Sequence, residues 1–569
     1  MPLTRTLIDL ASLAGIRGDA ADAEHFARAA ELVHGARVET DADLGPLLAA
    51  PPPGASPEVL RLLGHMYDAG GWVLVESALA DLPADLRWLF ESGAVTIEQL
   101  AALHRSLGAV SAIDLSESVR LHTIRDVPGL GLDVETAIEG ALPTLRRAIP
   151  RVPLGRALAL ADPIVQQLVS APAVAWAEPV GSLRRGDDLV GDIEIVAAAG
   201  DPGRVFDDIL EAADAARILH RGPRRLYFRT DRVQIGVQCP PPERAGALLL
   251  HLTGNRMHLN RLQTRAEQRG WRLEAGGLLT TDGLRVAADE EAIYRALELP
   301  WLPPEIREGD EAIVAADAGR LPQLVSSREI RGDLHMHSDW SDGRDRIETM
   351  VQACVALGYE YMAITDHSPH SAASRNLTVD GVKQQADEIA ALRERYPQIA
   401  ILHGCEVDIL PDARLDFSDR ILESFDIVLA SLHDPAGQAP ARLLARYEAA
   451  MRHPLVTVIT HPANRLVPSR PGYDIDFDRL FEMALSTRTV LEIDGAPSHL
   501  DLDATRARKA GAAGVTLSVD SDSHRADLLG RQMRMGLLIA RRAWLEPRHV
   551  LNARPIGELR EVIAAKRRK

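Results

Sequence analysis

Six short stretches in the second half of the chain share one pattern, in which an apolar, β-branched run ends and a histidine or carboxylate follows. They read GDLHMHSDWSDG (332–343), AITDH (363–367), AILHGCE (400–406), IVLASLH (427–433), VTVITH (456–461) and VTLSVDSDSH (515–524). Each apolar run is typical of a buried parallel strand, so each polar residue is expected at the C-terminal end of a strand. Barrels of alternating strands and helices collect their catalytic groups at that end. The pattern therefore predicts a (β/α) barrel with a polar site.

The polar residues at these strand ends are imidazoles mixed with carboxylates. A single histidine after a strand is more often a capping or solvent-facing group than a ligand, but six recurrences of the pattern favour a shared site. Such a mixture suits zinc, manganese or iron, and the set exceeds what one tetrahedral ion needs. We therefore expect a cluster of two or three metal ions. The candidate ligands are His335, His337, Asp342, His367, Glu406, His433, His461, Asp522 and His524.

Other histidines of this region lie off the strand ends or lack a partner ligand. These are His403, His453 and His549, and also His370 and His499, which we keep as candidate substrate contacts.

The ordered ligand set closely resembles the polymerase and histidinol phosphatase (PHP) family of metal-dependent phosphoesterases. The resemblance covers residues 331–569 and implies a distorted (β/α)7 barrel that holds up to three ions, Mn²⁺ or Zn²⁺. Metal ions lower the pKa of a bound water toward neutrality, and a second ion can hold the phosphoryl and leaving oxygens. The implied reaction is hydrolysis of a phosphoester.

Composition sets the frame for the rest of the chain. At 569 residues several domains are expected, and the three cysteines are widely separated, which indicates a reducing compartment. The N-terminus lacks the features of a signal peptide, and no segment reaches about 18 uninterrupted apolar residues. We expect a soluble, cytoplasmic monomer that does not bind membranes. The net charge of −17 argues against broad, tight nucleic-acid binding and leaves room for a local site.

A second motif pair, GSLRRG (181–186) and GDIEIV (191–196), lies upstream of the barrel. A glycine-serine turn can bind a nucleotide phosphate through its backbone. Asp192 and Glu194, two residues apart on a strand, point to one face and can share Mg²⁺. The pair predicts a nucleotidyltransferase palm over residues 151–245.

Two more segments flank the palm motifs: PLGRAL (153–158) precedes them and LPPE (302–305) follows them. The order of segments resembles the bacterial family X DNA polymerases that end in a PHP domain. The resemblance implies a thumb-like domain over residues 246–315, followed by a linker over residues 316–330. It also implies nucleotide contacts by Gly181, Ser182, Arg185, Gly191, Thr253, Gly254 and Asn260.

The palm departs from the family pattern at its catalytic carboxylates. Gln234 stands where a third aspartate belongs, and Glu194 replaces the second one. Asp231 lies three residues from Gln234, an odd offset that turns its side chain to the opposite face of a strand. Loss of one ligand from a two-metal site costs roughly a thousandfold or more in rate. We expect DNA polymerisation to be weak or absent.

Residues 1–150 have helical periodicity, and VPGLG (127–131) before a helix resembles a degenerate helix-hairpin-helix. In such a hairpin Gly129 and Gly131 would let backbone N–H groups approach a DNA phosphate. Asp133 stands where these hairpins often carry a lysine or threonine.

The sequence thus predicts a multidomain α/β protein of DNA repair or end processing. Its PHP site would act on gapped DNA or 3′ ends as a 3′-5′ exonuclease and also as a 3′-phosphatase, with dNTPs as ligands of a weakened palm. Two alternatives stay open: a small-metabolite phosphatase of the histidinol-phosphatase type, and a DNA-binding module with a vestigial palm.

Overall fold

The N-terminal region is helical, as its periodicity predicts. The computed structural model describes residues 3–148, 150–212, 217–283, 285–371, 373–434 and 437–568. Ser56, Thr96 and Ser111 each cap a helix by accepting a hydrogen bond from a backbone N–H in its first turn. The helices are α1 (Leu3–Arg17), α2 (Ala20–Ala36), α3 (Leu44–Ala49), α4 (Pro57–Ala69), α5 (Gly71–Ala80), α6 (Ala84–Glu91), α7 (Ile97–Leu107), α8 (Ala112–Arg120) and α9 (Leu132–Ala148).

A mixed sheet follows, in the strand order β2-β4-β7-β6-β5. Strand β4 runs parallel to β7 and pairs Glu194 with Gly236, while β6 runs antiparallel to β7 and pairs Tyr227 with the same glycine. The elements are β1 (Val152–Pro153), α10 (Leu154–Ser170), β2 (Val174–Pro179), α11 (Gly181–Arg185), β3 (Leu189–Val190), β4 (Ile193–Ala199), α12 (Pro202–Ala212), β5 (Arg217–Arg221), β6 (Arg225–Thr230) and β7 (Val233–Gln238).

The next segment joins helices to a small antiparallel sheet around a buried ion-pair network. Arg307 is fully buried and donates to both carboxylate oxygens of Glu290, at 2.5 and 3.1 Å, and Arg184 pairs with the same carboxylate. The elements are α13 (Pro242–Thr253), α14 (Arg256–Glu267), β8 (Arg272–Glu274), β9 (Gly277–Leu279), β10 (Arg285–Val286), α15 (Glu290–Ala296) and α16 (Glu311–Asp317).

The predicted linker is ordered against its neighbours. Helix α16 continues to Asp317, and Val325 is buried, with its N–H donating to the Leu545 carbonyl at 2.9 Å. The segment therefore docks on the domain that follows it.

The C-terminal part is the predicted barrel, with strands β11 to β17 parallel and neighbours in chain order. The His337 N–H donates to the Ser523 carbonyl at 2.9 Å, which brings the first strand's end to the last strand's end. The elements are β11 (Gly332–Asp333), α17 (Ile347–Ala356), β12 (Tyr361–Ile364), α18 (Val379–Arg395), β13 (Ala400–Asp408), α19 (Asp419–Leu422), β14 (Ile427–Ser431), α20 (Pro440–Arg452), β15 (Val456–Ile459), α21 (Phe477–Thr487), β16 (Val490–Asp494), α22 (Ala504–Ala513), β17 (Leu517–Asp520), α23 (Leu529–Arg542) and α24 (Ile556–Arg567).

The barrel strands are buried on both faces, which explains their continuous apolar runs. Strand β16 carries the run VLEID, which ends in a carboxylate but is absent from the six stretches singled out in the sequence.

Helix α23 attaches the barrel to the preceding domains. Arg531 donates to the Gly155 carbonyl at 2.8 Å, and Arg541 pairs with Glu305 at 2.7 Å. Gly186 packs against Leu538, and a Cβ at this glycine would lie 2.9 Å from the leucine side chain. These contacts hold the sheet domain beside the barrel. Among the described residues, every helix is too short or too polar to span a bilayer.

Candidate metal centre and palm face

The nine predicted ligand residues converge at the C-terminal end of the barrel strands. Glu406, which is 1% exposed, lies at their centre. One of its oxygens lies 2.9 Å from His367 Nδ1 and 3.4 Å from His335 Nε2, and the other lies 2.9 Å from His461 Nε2 and 3.4 Å from His433 Nε2. A single carboxylate therefore faces four imidazoles from four strand ends.

The remaining predicted ligands surround this carboxylate. His337 Nε2 lies 3.1 Å from Asp522 Oδ1, and His524 Nε2 lies 3.3 Å from Asp342 Oδ1. Within the described residues, four sets of side chains have ligand atoms within 4.8 Å of one another and could each hold an ion, and three of the four consist of predicted ligands alone. These three sets are His337–Asp342–His367–His524, His335–His337–Asp522 and His367–Glu406–His433.

Unpaired buried atoms support a metal-binding role for this cluster. Glu406 Oε2 and His367 Nδ1 are buried and lie 2.9 Å apart, yet their orientation does not form a well-aligned hydrogen bond, and neither atom makes such a bond elsewhere in the described structure. Burying a polar atom without a partner costs about 1–3 kcal/mol, so such atoms call for another interaction. A shared divalent cation supplies one, since imidazole nitrogen and carboxylate oxygen are ligands of transition metals.

The electrostatics of the cluster point the same way. Burial alone would lower the pKa of His335, but Glu492, Asp522 and Glu406 raise it well above its ordinary value. Burial opposes ionisation of Glu406 too, yet the imidazoles of His367, His335 and His433 hold its pKa well below the usual range. Glu406 thus remains anionic, and cations can neutralise its charge.

Two further carboxylates orient the imidazoles, and the sequence interpretation missed both. His335 Nδ1 lies 2.7 Å from Glu492 Oε1, and the backbone N–H of His461 donates to Glu492 Oε2 at 2.8 Å. His433 Nδ1 lies 2.7 Å from Asp408 Oδ1. Metal-ligating histidines commonly donate their second ring N–H to such a group. VLEID in β16 repeats the strand-end pattern, but the carboxylate at its end is Asp494, and Glu492 stands two residues before it.

His499 lies closer to the cluster than its sequence position suggests. Its ring stacks on His461 with centroids 5.3 Å apart, and it forms a fourth set with Asp494 and Asp522. By contrast His403 is bonded to Gln385 at 3.0 Å beside α18. His499 therefore lies within reach of a metal ion held by Asp494 and Asp522, although the sequence pattern did not include it among the ligands.

The predicted palm residues also share one neighbourhood, but their side chains are engaged by the protein. Glu194 accepts hydrogen bonds from Tyr227 Oη at 2.9 Å and from Gln238 Nε2 at 3.2 Å. Tyr227 reaches it across Gly236, where a Cβ would lie 2.7 Å from the tyrosine ring. Gln234 lies on β7, and its Oε1 accepts from the Ala84 N–H at 2.8 Å.

Asp231 is unavailable to replace the missing aspartate, for a reason other than strand offset. It lies in the turn between β6 and β7 at φ +45° and pairs with Arg156 at 2.8 Å. The turn places it before β7 begins, so the strand-parity argument does not apply to it.

The predicted nucleotide-binding turn is assembled around α11. Ser182 Oγ accepts from the Gly191 N–H at 3.2 Å, and Arg185 donates to the Thr253 carbonyl at 2.9 Å. Gly181 has φ +62°, and Gly254 follows α13 directly. Asn260 is exposed on α14, and none of the described hydrogen bonds joins its side chain to this group. The structure thus gathers the set apart from Asn260.

The predicted hairpin turn has the expected shape and an unfavourable charge. Gly129 and Gly131 adopt φ +85° and +110°, and α9 begins at the next residue, Leu132. Asp133 and Glu135 occupy the first turn of that helix. Glu135 is buried and paired with Arg125, so Asp133 is the carboxylate that would compete with a phosphate for the helix N-terminus.

Comparisons with known proteins match both halves of the chain. The DNA polymerase beta thumb model matches residues 248–308, and the PHP domain model matches residues 333–483. The chain is 34% identical over 505 residues to a Bacillus subtilis protein described as "DNA polymerase/3'-5' exonuclease PolX", with 88% of each chain covered. It is 28% identical over 248 residues to a probable phosphatase of a Thermoanaerobacter species, covering 42% of this chain and 96% of that one. A probable phosphatase of Syntrophotalea carbinolica is 29% identical over 178 residues, which is 30% of this chain and 69% of that one. The chain belongs to the bacterial family X DNA polymerases that carry a PHP domain.

Proposed function

We propose that this protein is a DNA repair or end-processing enzyme whose barrel hydrolyses phosphodiesters at 3′ ends as a 3′-5′ exonuclease. The observation that carries the proposal is the convergence of six strand-end imidazoles and the carboxylates of Asp342 and Asp522 around Glu406, with buried ligand atoms that make no well-aligned hydrogen bond within the protein. The relationship to a protein described as a polymerase and exonuclease over 88% of both chains supports DNA as the substrate class.

The nine strand-end side chains named above would hold two or three ions, Mn²⁺ or Zn²⁺. When bound, such ions activate water and neutralise phosphate charge. Glu492 and Asp408 position the imidazoles of His335 and His433 through hydrogen bonds of 2.7 Å. Asp342 and His524 are partly exposed, so substrate would approach the cluster from their side.

In this proposal the palm contributes little or no polymerisation. A two-metal site needs free carboxylates, but Glu194 is bonded to Tyr227 and Gln238, and Gln234 offers a neutral amide. Mg²⁺ and dNTP binding at Asp192 and Glu194 would be weak. The partners proposed are gapped DNA and DNA 3′ ends, with the protein acting as a monomer.

The test uses the full chain with Mn²⁺ and a labelled 3′-recessed duplex, with and without dNTPs. Wild type should shorten the labelled strand and extend it poorly, and a 3′-phosphate end tests the phosphatase activity. His335→Ala with His337→Ala should abolish hydrolysis and lower the bound metal, because both imidazoles leave one ion site. His65→Ala, at an exposed position on α4, is the matched control. Undiminished hydrolysis at wild-type metal content in the double variant would overturn the proposal.

A small-metabolite phosphatase is the second candidate. It is favoured by the probable phosphatase whose length is 96% covered by a match to 42% of this chain. Comparing kcat/KM for histidinol phosphate and for a 3′-recessed duplex separates the two candidates. Gel-shift titration of the metal-depleted full chain across salt tests the third candidate, a DNA-binding module, since phosphate contacts make affinity fall steeply with salt.

A further inference from the structure

The five-stranded mixed sheet, here called the palm sheet, places arginines against the N-terminal helical region. Asp81, which follows α5 and has a 4% exposed side chain, pairs with Arg217 on β5 and lies 3.5 Å from Arg229 on β6. Asp114 on α8 pairs with Arg225 on β6 at 2.7 Å. Acids of one region thus face basic residues on neighbouring strands of the other.

Apolar and backbone contacts fill the space between these ion pairs. Val110, before α8, forms a small buried cluster with Leu219 and Tyr227 of the palm sheet, and is itself 1% exposed. Gly18 lies so close to the palm that a Cβ there would stand 2.1 Å from the Arg221 carbonyl oxygen. His220 Nδ1 lies 2.6 Å from the Ile16 carbonyl oxygen. The two regions are therefore packed tightly as well as paired by charge.

The covered surface includes Gln234, at the position of the missing third carboxylate. Gln234 Oε1 receives the Ala84 N–H at the start of α6, and Tyr227, which Val110 covers, is the residue that holds Glu194. We propose that this face of the palm is a docking surface for the chain's own N-terminal region, residues 3–148, and that docking closes the palm to a primer terminus and nucleotide. The charges fit this partner, because Arg217, Arg225 and Arg229 could otherwise pair with nucleic-acid phosphates.

Docking would keep the palm closed independently of its missing aspartate. Restoring a carboxylate at position 234 would then leave the site covered, so Gln234→Asp alone would not restore primer extension. The inference goes beyond the exonuclease proposal, and it would stand if the barrel acted on another phosphoester.

The test measures how fast a cysteine at the interface reacts with a maleimide in the full chain. Val110→Cys places the thiol in the interface cluster, whereas the native Cys239, Cys354 and Cys405 are buried within their own domains and report unfolding. Arg217→Glu with Arg229→Glu puts two negative charges opposite Asp81. Arg204→Glu, exposed on α12, is the control for a change of charge alone.

We expect slow labelling of the cysteine at position 110 in the otherwise wild-type chain and in the Arg204→Glu control. The double glutamate variant should label at least tenfold faster while the native cysteines stay unmodified. Adding Asp81→Lys should restore slow labelling, because the charges are then complementary again. Rapid labelling in the wild-type background, or a double variant that labels at the wild-type rate, would overturn the proposal.

Primer extension gives a second readout. Gln234→Asp with Glu194→Asp should extend a primer measurably only when combined with Asp81→Lys, which repels Arg217 and Arg229 and leaves both arginines in place. Equal extension with the interface intact would show that the palm is open, which contradicts docking as the block. The His335 and His337 variants decide the exonuclease proposal separately.

Discussion

Glu492→Gln should weaken metal binding in the barrel although Glu492 belongs to none of the three predicted ion sets. One of its oxygens lies 2.7 Å from His335 Nδ1, and the other accepts a hydrogen bond from the backbone N–H of His461 at 2.8 Å. If His335 Nε2 holds an ion, the ring proton is on Nδ1, which lies 2.7 Å from Glu492 Oε1 and can donate to it. Glutamine keeps one acceptor oxygen and turns an amide N–H₂ toward the other donor.

The size of the effect follows from the bond that is lost. A hydrogen bond to a charged group contributes about 1.5–3 kcal/mol, and each 1.4 kcal/mol is a factor of about ten. Residues that orient metal ligands typically change metal affinity or activity by about 10–100-fold. We therefore expect the Mn²⁺ concentration for half-maximal hydrolysis to rise by about 10–100-fold.

The assay titrates Mn²⁺ into metal-depleted full-length protein and follows cleavage of a labelled 3′-recessed duplex. Glu394→Gln, exposed on α18, is the matched control and should behave as wild type. A Glu492→Gln variant with the wild-type Mn²⁺ dependence and kcat would refute the argument that this carboxylate positions His335.

Three further outcomes follow from buried groups. Arg307 and Arg184 hold the pKa of Glu290 at about 2 despite burial, so its ionised form stabilises the fold above pH 4.5 and this stability is lost as pH falls toward 2. Glu290→Gln should then cost about 3–5 kcal/mol at pH 7 and less at pH 3, measured by urea unfolding. The Nζ of Lys566 donates to two carbonyls and a hydroxyl. Lys566→Met should lower the free energy of unfolding by about 1–3 kcal/mol, measured as a lower Tm. Gln234→Asp alone should leave primer extension at the wild-type level, scored on the same duplex with dNTPs.

The barrel and its site were predictable because their signals are local. Strands β12 to β17 are four to nine residues long. Where a predicted ligand belongs to one of them, it stands among its last residues or shortly after its end, as in VTVITH, where His461 directly follows Thr460. Parallel strands then bring their C-terminal ends together without further information. The confirmed (β/α)7 architecture and the convergence of the nine side chains both follow from that geometry. The roles of the nine as ligands remain a prediction.

Glu492 shows where this local approach fell short, because β16 carries the pattern but the carboxylate stands inside the strand, before its end. Asp231 shows the opposite error, since a turn rather than a strand determines where its side chain lies. In both cases the bounds of one strand decided the outcome.

The sequence by itself determined the barrel, the side chains that meet at its strand ends and the loss of the third palm carboxylate, because each depends on residues close together in the chain. Only the tertiary structure decided that the N-terminal helices cover the palm. Asp81 and Arg217 are 136 residues apart, as Ala84 and Gln234 are 150 apart, and neither pair belongs to a periodic pattern. Such contacts form when two folded surfaces with complementary charge and shape pack together. The spacing of residues along the chain does not predict which surfaces will do so.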